Sequence, residues 1–409
     1  MTKARIYIFL VTIIVVCLGG YVGSLYARGY KFNTKTMRFT PSGLMVTKSE
    51  PDGAQIIVNG ELKGATNSNL SFAPGTYDVS IKKEAYRTWS KRITIEKEVV
   101  TEINANLFLI APSLSAVTFS GCVNPVSSPD FTKIVYAVPA TTENLSSDKE
   151  GLWIMEMSNL PLGFSRDPRR ITDGDMASAS WEFSPDGRQI LLTTTGGKFI
   201  LETGGFTTQS QRINIQSKLS DIQKGWDTEA ENRFNSQTRG LPEELLEILK
   251  NKTSKVLFSP DENRILYITT KDAELPLDLI KQIPGASTQV QERSLKAGRA
   301  YIYDIKEDRN FFLAEVSNAK LEDCALSSNT ARISCSTTLS WFPTSRHVLL
   351  AQSDKIVIMD YDGTNKQEVY SGSYVAPFAF SLVSSDRILI LTNLGANSSI
   401  ANLYSLSLK

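Results

Sequence analysis

Hydrophobic and polar positions alternate in three different ways along this chain. Residues 6–25, IYIFLVTIIVVCLGGYVGSL, contain no charge at all. At about 1.5 Å per helical residue such a run spans ~30 Å, the depth of a bilayer core, and predicts a membrane helix. An uncleaved anchor fits better than a signal peptide. The apolar core is longer than a signal peptide's, no small-x-small site follows it, and Val16 stands where a lipoprotein box needs a small residue before Cys17. Lys3 and Arg5 precede the run, while Arg28, Lys31, Lys35 and Arg38 follow it. That charge count favours an inward-facing C-terminus. Very short basic tails usually stay cytoplasmic, however, and long domains translocate largely regardless of charge. Residues 1–27 are therefore expected to be a cytoplasmic tail and anchor, with the bulk of the chain outside.

A polar linker is expected over 28–42. From 43 to 110 the period falls to two, in short runs separated by turn residues, which predicts a small all-β unit. Asn59-Gly60 predicts a two-residue hairpin turn with positive φ at both positions. Ala73-Pro74-Gly75-Thr76 predicts a second tight turn with Gly75 left-handed. In TYDVSIKK, Tyr77, Val79 and Ile81 share a face. Pro51-Asp52-Gly53-Ala54, IIVNG, PGTY and AYRTW resemble the PEGA domain, a small β-sandwich common in bacterial envelope proteins. Family members commonly carry Gly-Tyr where this chain has Ala85-Tyr86, and Glu where it has Asp52. The resemblance implies a surface or spacer module and brings no catalytic residues.

From 111 to 409 the third pattern is a repeat. WEFSPDGRQILL (181–192) returns as VLFSPDENRILYI (256–268), and weaker copies are SSPDFTKIVYAV, LSWFPTSRHVLLAQ and SSDRILILT. Each reads as strand, turn, return strand, with further strands after it: KFILETG and QRIN in one unit, IVIMDYDG and QEVY in another. Proline presets φ in the turn and Asp bonds local N–H groups, so the motif needs no substrate. Such units are propeller blades, and they resemble the propeller of TolB and its relatives. Five blades are visible. Residues 114–119, LSAVTF, are available to close the last, and SSNTARIS (327–334) leaves a sixth open. The expected class is all-β: an N-terminal transmembrane helix, a PEGA-like sandwich, and a propeller with helical insertions.

Blade topology puts SPDG and YDGTN turns at one end. The insertions 215–255, 271–298 and 317–338, with the milder extension 139–150, are expected at the other; 159–168 is the exception. GLPEELLEILK (240–250) predicts a capped amphipathic helix with Leu245, Leu246 and Leu249 on one side, packed on its own domain. Trp226 and Asp227 lie nearby and are weak ligand-contact candidates.

Composition narrows the chemistry. Charges nearly cancel, 44 basic against 43 acidic, so no global field draws nucleic acid. One histidine, His347, serves the whole chain, which lowers the expectation of an enzyme. It sits at a blade-motif position and reads as structural. Ser184 and Ser259 have no assigned base and are rejected as nucleophiles. DYDGTN (360–365) lacks the ligand series of a calcium loop and reads as a hairpin. Cys122 stands alone, and Cys324 and Cys335 either bridge a hairpin or remain separate thiols. No catalytic, cofactor or metal residues are assigned and no cofactor is expected. The expected function is a membrane-anchored extracytoplasmic binding or scaffold protein engaging a protein or cell-wall polymer, with a PEGA-like spacer holding the propeller off the membrane. The alternatives are a hydrolase or lyase using carboxylates in a central pocket, and a sensor ectodomain acting through a partner.

Overall fold

The computed structural model describes residues 2–33, 37–140, 149–157, 167–281, 284–316, 338–394 and 400–409. The chain divides into two compact units: Met1–Leu107 with Gln282–Val290, and Phe108–Lys281 with Gln291–Lys409.

In the first unit the uncharged run forms α1 (Thr2–Ala27), of which Arg5–Ala27 is long and apolar enough to cross a membrane. Its C-terminus is closed by main-chain bonds from Gly29 N–H to Tyr26 O and from Tyr30 N–H to Leu25 O, both 3.0 Å, with Gly29 at φ +85°. These are the two bonds of a Schellman cap, which needs a left-handed residue at the first position beyond the helix. Within 28–42, read from the sequence as a linker, β1 (Lys31–Asn33) and β2 (Arg38–Thr40) pair antiparallel with Phe32 opposite Phe39.

Next come β3 (Gly43–Glu50), β4 (Gln55–Val58), β5 (Glu61–Ala65), β6 (Ser68–Phe72), β7 (Gly75–Lys82), β8 (Trp89–Ile95) and β9 (Val100–Asn106). They form two sheets, ordered β6-β3-β9 and β5-β4-β7-β8, with β3 and β9 parallel. Met45, Ile103 and Ala105 of one sheet pack with Ile56, Val58, Val79, Ile81, Trp89 and Ile93 of the other. Burying each large side chain contributes about 1.5–3 kcal/mol. Asn59 and Gly60 have φ of 49° and 84°, as the hairpin signal requires. Gly75 differs from expectation. It is the first residue of β7 with φ 158°, so it is extended, because strand pairing with Ile95 already begins there.

Ala85 has φ 67°, a conformation that favours glycine. Ala85 is also exposed. Ala85→Gly is therefore expected to stabilise the first unit by about 0.5–1 kcal/mol. Relief of left-handed strain, about 1–2 kcal/mol, outweighs glycine's extra chain entropy of about 0.5–1. Denaturant unfolding of wild type and variant checks this.

The second unit begins with β10 (Leu114–Ala116). Sheet one is β11 (Val123–Ser127), β12 (Lys133–Val138), β13 (Gly151–Glu156) and β14 (Arg169–Asp173). Sheet two is β15 (Ser180–Phe183), β16 (Gln189–Thr194) and β17 (Gly197–Glu202). After α2 (Leu219–Gln237) and α3 (Glu243–Asn251), sheet three runs β18 (Thr253–Phe258), β19 (Arg264–Thr269), β22 (Arg299–Asp304) and β23 (Arg309–Glu315). A short ladder of β20 (Ala273–Glu274) and β21 (Ser294–Leu295) lies inside it. Sheet four is β24 (Thr338–Trp341), β25 (His347–Ala351), β26 (Lys355–Asp360) and β27 (Gln367–Ser371). Sheet five is β28 (Ala379–Ser381), β29 (Arg387–Thr392) and β30 (Asn402–Ser407), with β10 paired to β30. LSAVTF thus supplies a strand to the last sheet.

Central strands are buried on both faces, as their unbroken apolar runs require. Val135 and Ile154 of sheet one pack with Trp181 and Ile190 of sheet two. Sheets three and four meet through Ile302 and Trp341, four and five through Ile358 and Ile388, five and one through Leu403 and Tyr136. The remaining face of sheet three carries Ile265, Tyr267, Tyr301 and Tyr303. It packs against Leu245, Ile248 and Leu249 of α3 and against Ala273, Leu275 and Leu295 of the insertion. Ile248, rather than the half-buried Leu246, completes the α3 stripe.

Three expectations change. QRIN does not form a fourth strand in sheet two; Asn214 makes only an isolated bridge to Phe199. Thr207 and Arg212 turn to sheet one instead, where Thr207 N–H bonds Ile171 O at 2.8 Å and Arg212 Nε bonds Thr172 Oγ1 at 2.9 Å. The insertion over 215–255 holds two helices rather than one. It also does not stay at the far end. In α2, Arg233 donates to Pro185 O (3.4 Å) and Gln237 to Glu262 Oε1 (2.9 Å), both acceptors belonging to the Ser-Pro-Asp turns. Cys324, Cys335, 327–334, 159–166, 317–337 and 141–148 lie outside the described residues.

Candidate interaction surface

One end of the sheet array is built from the repeated turns, and its polar groups are occupied. Ser184 is buried; its hydroxyl donates to Asp186 Oδ1 (2.6 Å) and accepts from Gln189 N–H (2.9 Å). Ser259 repeats this with Asp261 (2.6 Å) and Arg264 N–H (3.0 Å), and Ser128 with Asp130 and Lys133 N–H (3.0 Å). The Ser184 hydroxyl and the Arg188 N–H hold the Asp186 carboxyl below its ordinary range. A carboxylate so stabilised is a weaker base, which argues against nucleophile activation at Ser184. The fourth turn position has positive φ in all five copies: Phe131, Gly187, Glu262, Ser345 and Ser385. The turn's backbone conformation therefore repeats even where glycine does not.

His347 is buried, with Nδ1 2.7 Å from Thr344 Oγ1, Nε2 3.4 Å from Asp360, and edge contacts to Phe108 and Phe342. It tethers the turn before β25 to the end of β26. In DYDGTN, Asp362 Oδ1 accepts from Thr364, Asp360 Oδ2 accepts from Asn365, and Gly363 N–H closes onto Asp360 O at 2.9 Å. That is a hairpin turn. Among the described residues no three His, Cys, Asp or Glu side chains gather to hold a metal.

Sheets three and four are joined at this end by Arg264. Its guanidinium lies 2.7 Å from Asp304 Oδ2, 4.0 Å above the Tyr361 ring, and bonds Ser345 O at 3.1 Å. Burial pushes the Asp304 carboxyl up, with Arg264 opposing it. A second buried set secures the 271–298 insertion: Arg293 pairs with Asp308 at 3.1 Å, Tyr303 donates to Asp308 (2.6 Å), and Tyr267 donates to Asn310 (2.7 Å). Glu182, on β15 of sheet two, is also pushed up by burial, with Lys198 opposing. Among the described residues, the two carboxyls raised by burial thus stand on different sheets. Trp226 is half-buried on α2, and Asp227 beside it is exposed.

At the other end Phe119 is 82% exposed, and Val123 at the start of β11 and Val375, Leu394 and Ile400 outside the strands are exposed as well. Gly121 and Pro139 meet Ile400 there, a Cβ on Gly121 falling 2.8 Å from Ile400 and 3.3 Å from Pro139. Sequence reasoning missed this group because its members are far apart in the chain, each an unremarkable loop residue. Only the pairing of β10 with β30 brings 117–122 to Ile400, Ala401 and Leu403.

Residues 42–109 match the family model of the PEGA domain. No curated protein matches the chain. Among solved structures it is similar to a chain described as TolB from Agrobacterium tumefaciens, at 13% identity over 70% of this chain and 78% of that one. It is also similar to TolB from Acinetobacter baumannii, at 12% over 81% and 59%, and to an acylaminoacyl peptidase from Pyrococcus horikoshii, at 12% over 72% and 39%. The TM-score is 0.22 in each case, and the chain spans less than two thirds of the second and third structures. Residues 42–109 are a PEGA domain.

Proposed function

We propose that this is a membrane-anchored binding protein acting outside the cytoplasm, whose second unit is a five-bladed propeller closed by β10 against β30. Its partner is a protein, held at the end away from the Ser-Pro-Asp turns. The observation that carries this reading is the exposed apolar group of Phe119, Val123, Val375, Leu394 and Ile400. Large exposed apolar side chains at one end of a sheet array suit contact with a protein, whereas a polyhydroxylated cell-wall polymer would call for hydrogen-bonding groups. The PEGA domain at 42–109 and the apolar α1 support an envelope setting.

The test is photo-crosslinking in intact cells, with a benzophenone side chain at Phe119 and, as a control, at Arg188, whose side chain is 81% exposed in a turn. A discrete protein adduct at position 119 and none at 188 is expected. An adduct only at 188, or a glycan-bearing smear at 119, overturns the reading.

A further inference from the structure

We propose that the β1–β2 hairpin is a second membrane contact, lying in the lipid headgroup zone beside the exit of α1. This rests on α1 being a membrane anchor. Phe32 and Phe39 oppose each other across the two strands with ring centroids 5.2 Å apart, and Tyr26 of the last helical turn meets Phe39 edge-on at 5.9 Å. The three rings form one aromatic cluster at the C-terminal end of α1. Tyr26 is 58% exposed, Phe32 40%, and Met37 at the start of the return strand 73%. Lys31 and Arg38 each neighbour a ring along the strand and stand on the opposite face, from which their long side chains can reach the headgroups. Aromatic rings at headgroup depth with lysine and arginine beside them are what an anionic bilayer interface accommodates.

The hairpin is held where this requires it. The Schellman cap fixes the chain direction after Ala27, Arg28 pairs with Glu98 at 3.0 Å, Tyr30 donates to Glu98 at 2.9 Å, and the Ser42 hydroxyl bonds Gly29 O. The Tyr30 bond, aided by Arg28, holds the Glu98 carboxyl below its ordinary range. Arg28 is thus committed to the protein, leaving Lys31 and Arg38 to meet lipid phosphates.

The full chain is reconstituted in phosphatidylglycerol–phosphatidylethanolamine vesicles with a benzophenone side chain at Met37, at Tyr21 within α1, or at Leu62 on the β4–β5 hairpin. Lipid adducts are expected at 21 and 37 and not at 62. Phe32→Ser with Phe39→Ser should cut the adduct at 37 by about tenfold while leaving that at 21 unchanged. Lys31→Gln and Arg38→Gln, which spare the aromatic packing, should each cut it by about fivefold. Adducts at 21 with none at 37, or with protein in place of lipid at 37, overturn the hairpin proposal and leave the anchor standing. Absence of lipid adducts at 21 overturns both.

Discussion

Arg264→Met is expected to destabilise the second unit by about 3–5 kcal/mol, the usual cost of removing one partner from a buried ion pair. The side chains of Arg264 and Asp304 are 14% and 1% exposed. Without the guanidinium, Asp304 keeps only the N–H bonds from Lys306 and Glu307, each 3.0 Å. The substitution also removes the bond to Ser345 O and the stacking on Tyr361 that join sheets three and four. Burial already raises the Asp304 pKa, and losing Arg264 raises it further. A carboxyl whose folded pKa lies above its unfolded value favours the folded state less as pH rises through that interval. The variant's deficit should therefore be larger at neutral pH than near about pH 4. Arg264→Met with Asp304→Leu should recover much of the loss. Denaturant unfolding at both pH values checks all three statements.

Gly363→Ala is expected to cost about 2–5 kcal/mol: about 1–2 for left-handed strain and about 1–3 for overpacking. Gly363 has φ 75°, and an added Cβ would lie 2.5 Å from Phe312 O, a main-chain atom of the neighbouring sheet. Lys366 reaches the same strand, donating to Leu313 O at 2.9 Å, so the turn cannot withdraw without losing that bond. Gly204→Ala, with nothing within 4 Å of its Cβ, should stay within about 0.5 kcal/mol of wild type. Thermal unfolding of the two variants side by side separates the effects.

Local physics made much of the fold legible. An uncharged run of helix length, the Asn59-Gly60 turn and the Ser-Pro-Asp repeats each announce a single element, and each element is present. What was hidden has a common cause. Helix α2 carries Leu219, Ile222, Trp226 and Phe234 at helical spacing, but they are only half-buried, and charged residues between them dilute the stripe. The β1–β2 hairpin has three residues per strand, too few for an alternation to register. The path of α2 to Pro185 and Glu262 depends on a helix occupying the face of sheet three that carries Tyr267, Tyr301 and Tyr303. No residue spacing encodes that. The candidate surface was the least legible part, since Phe119 and Ile400 are distant in sequence and adjoin only through the pairing of β10 with β30.

Alkaline phosphatase, which folds only outside the cytoplasm, fused after Lys409 of the full chain in a bacterial host tests the placement of the protein most directly. Active phosphatase, with a green fluorescent protein fusion at the same position dark, is the predicted result. A dark phosphatase fusion with a fluorescent partner would put the sheets in the cytoplasm and contradict the account.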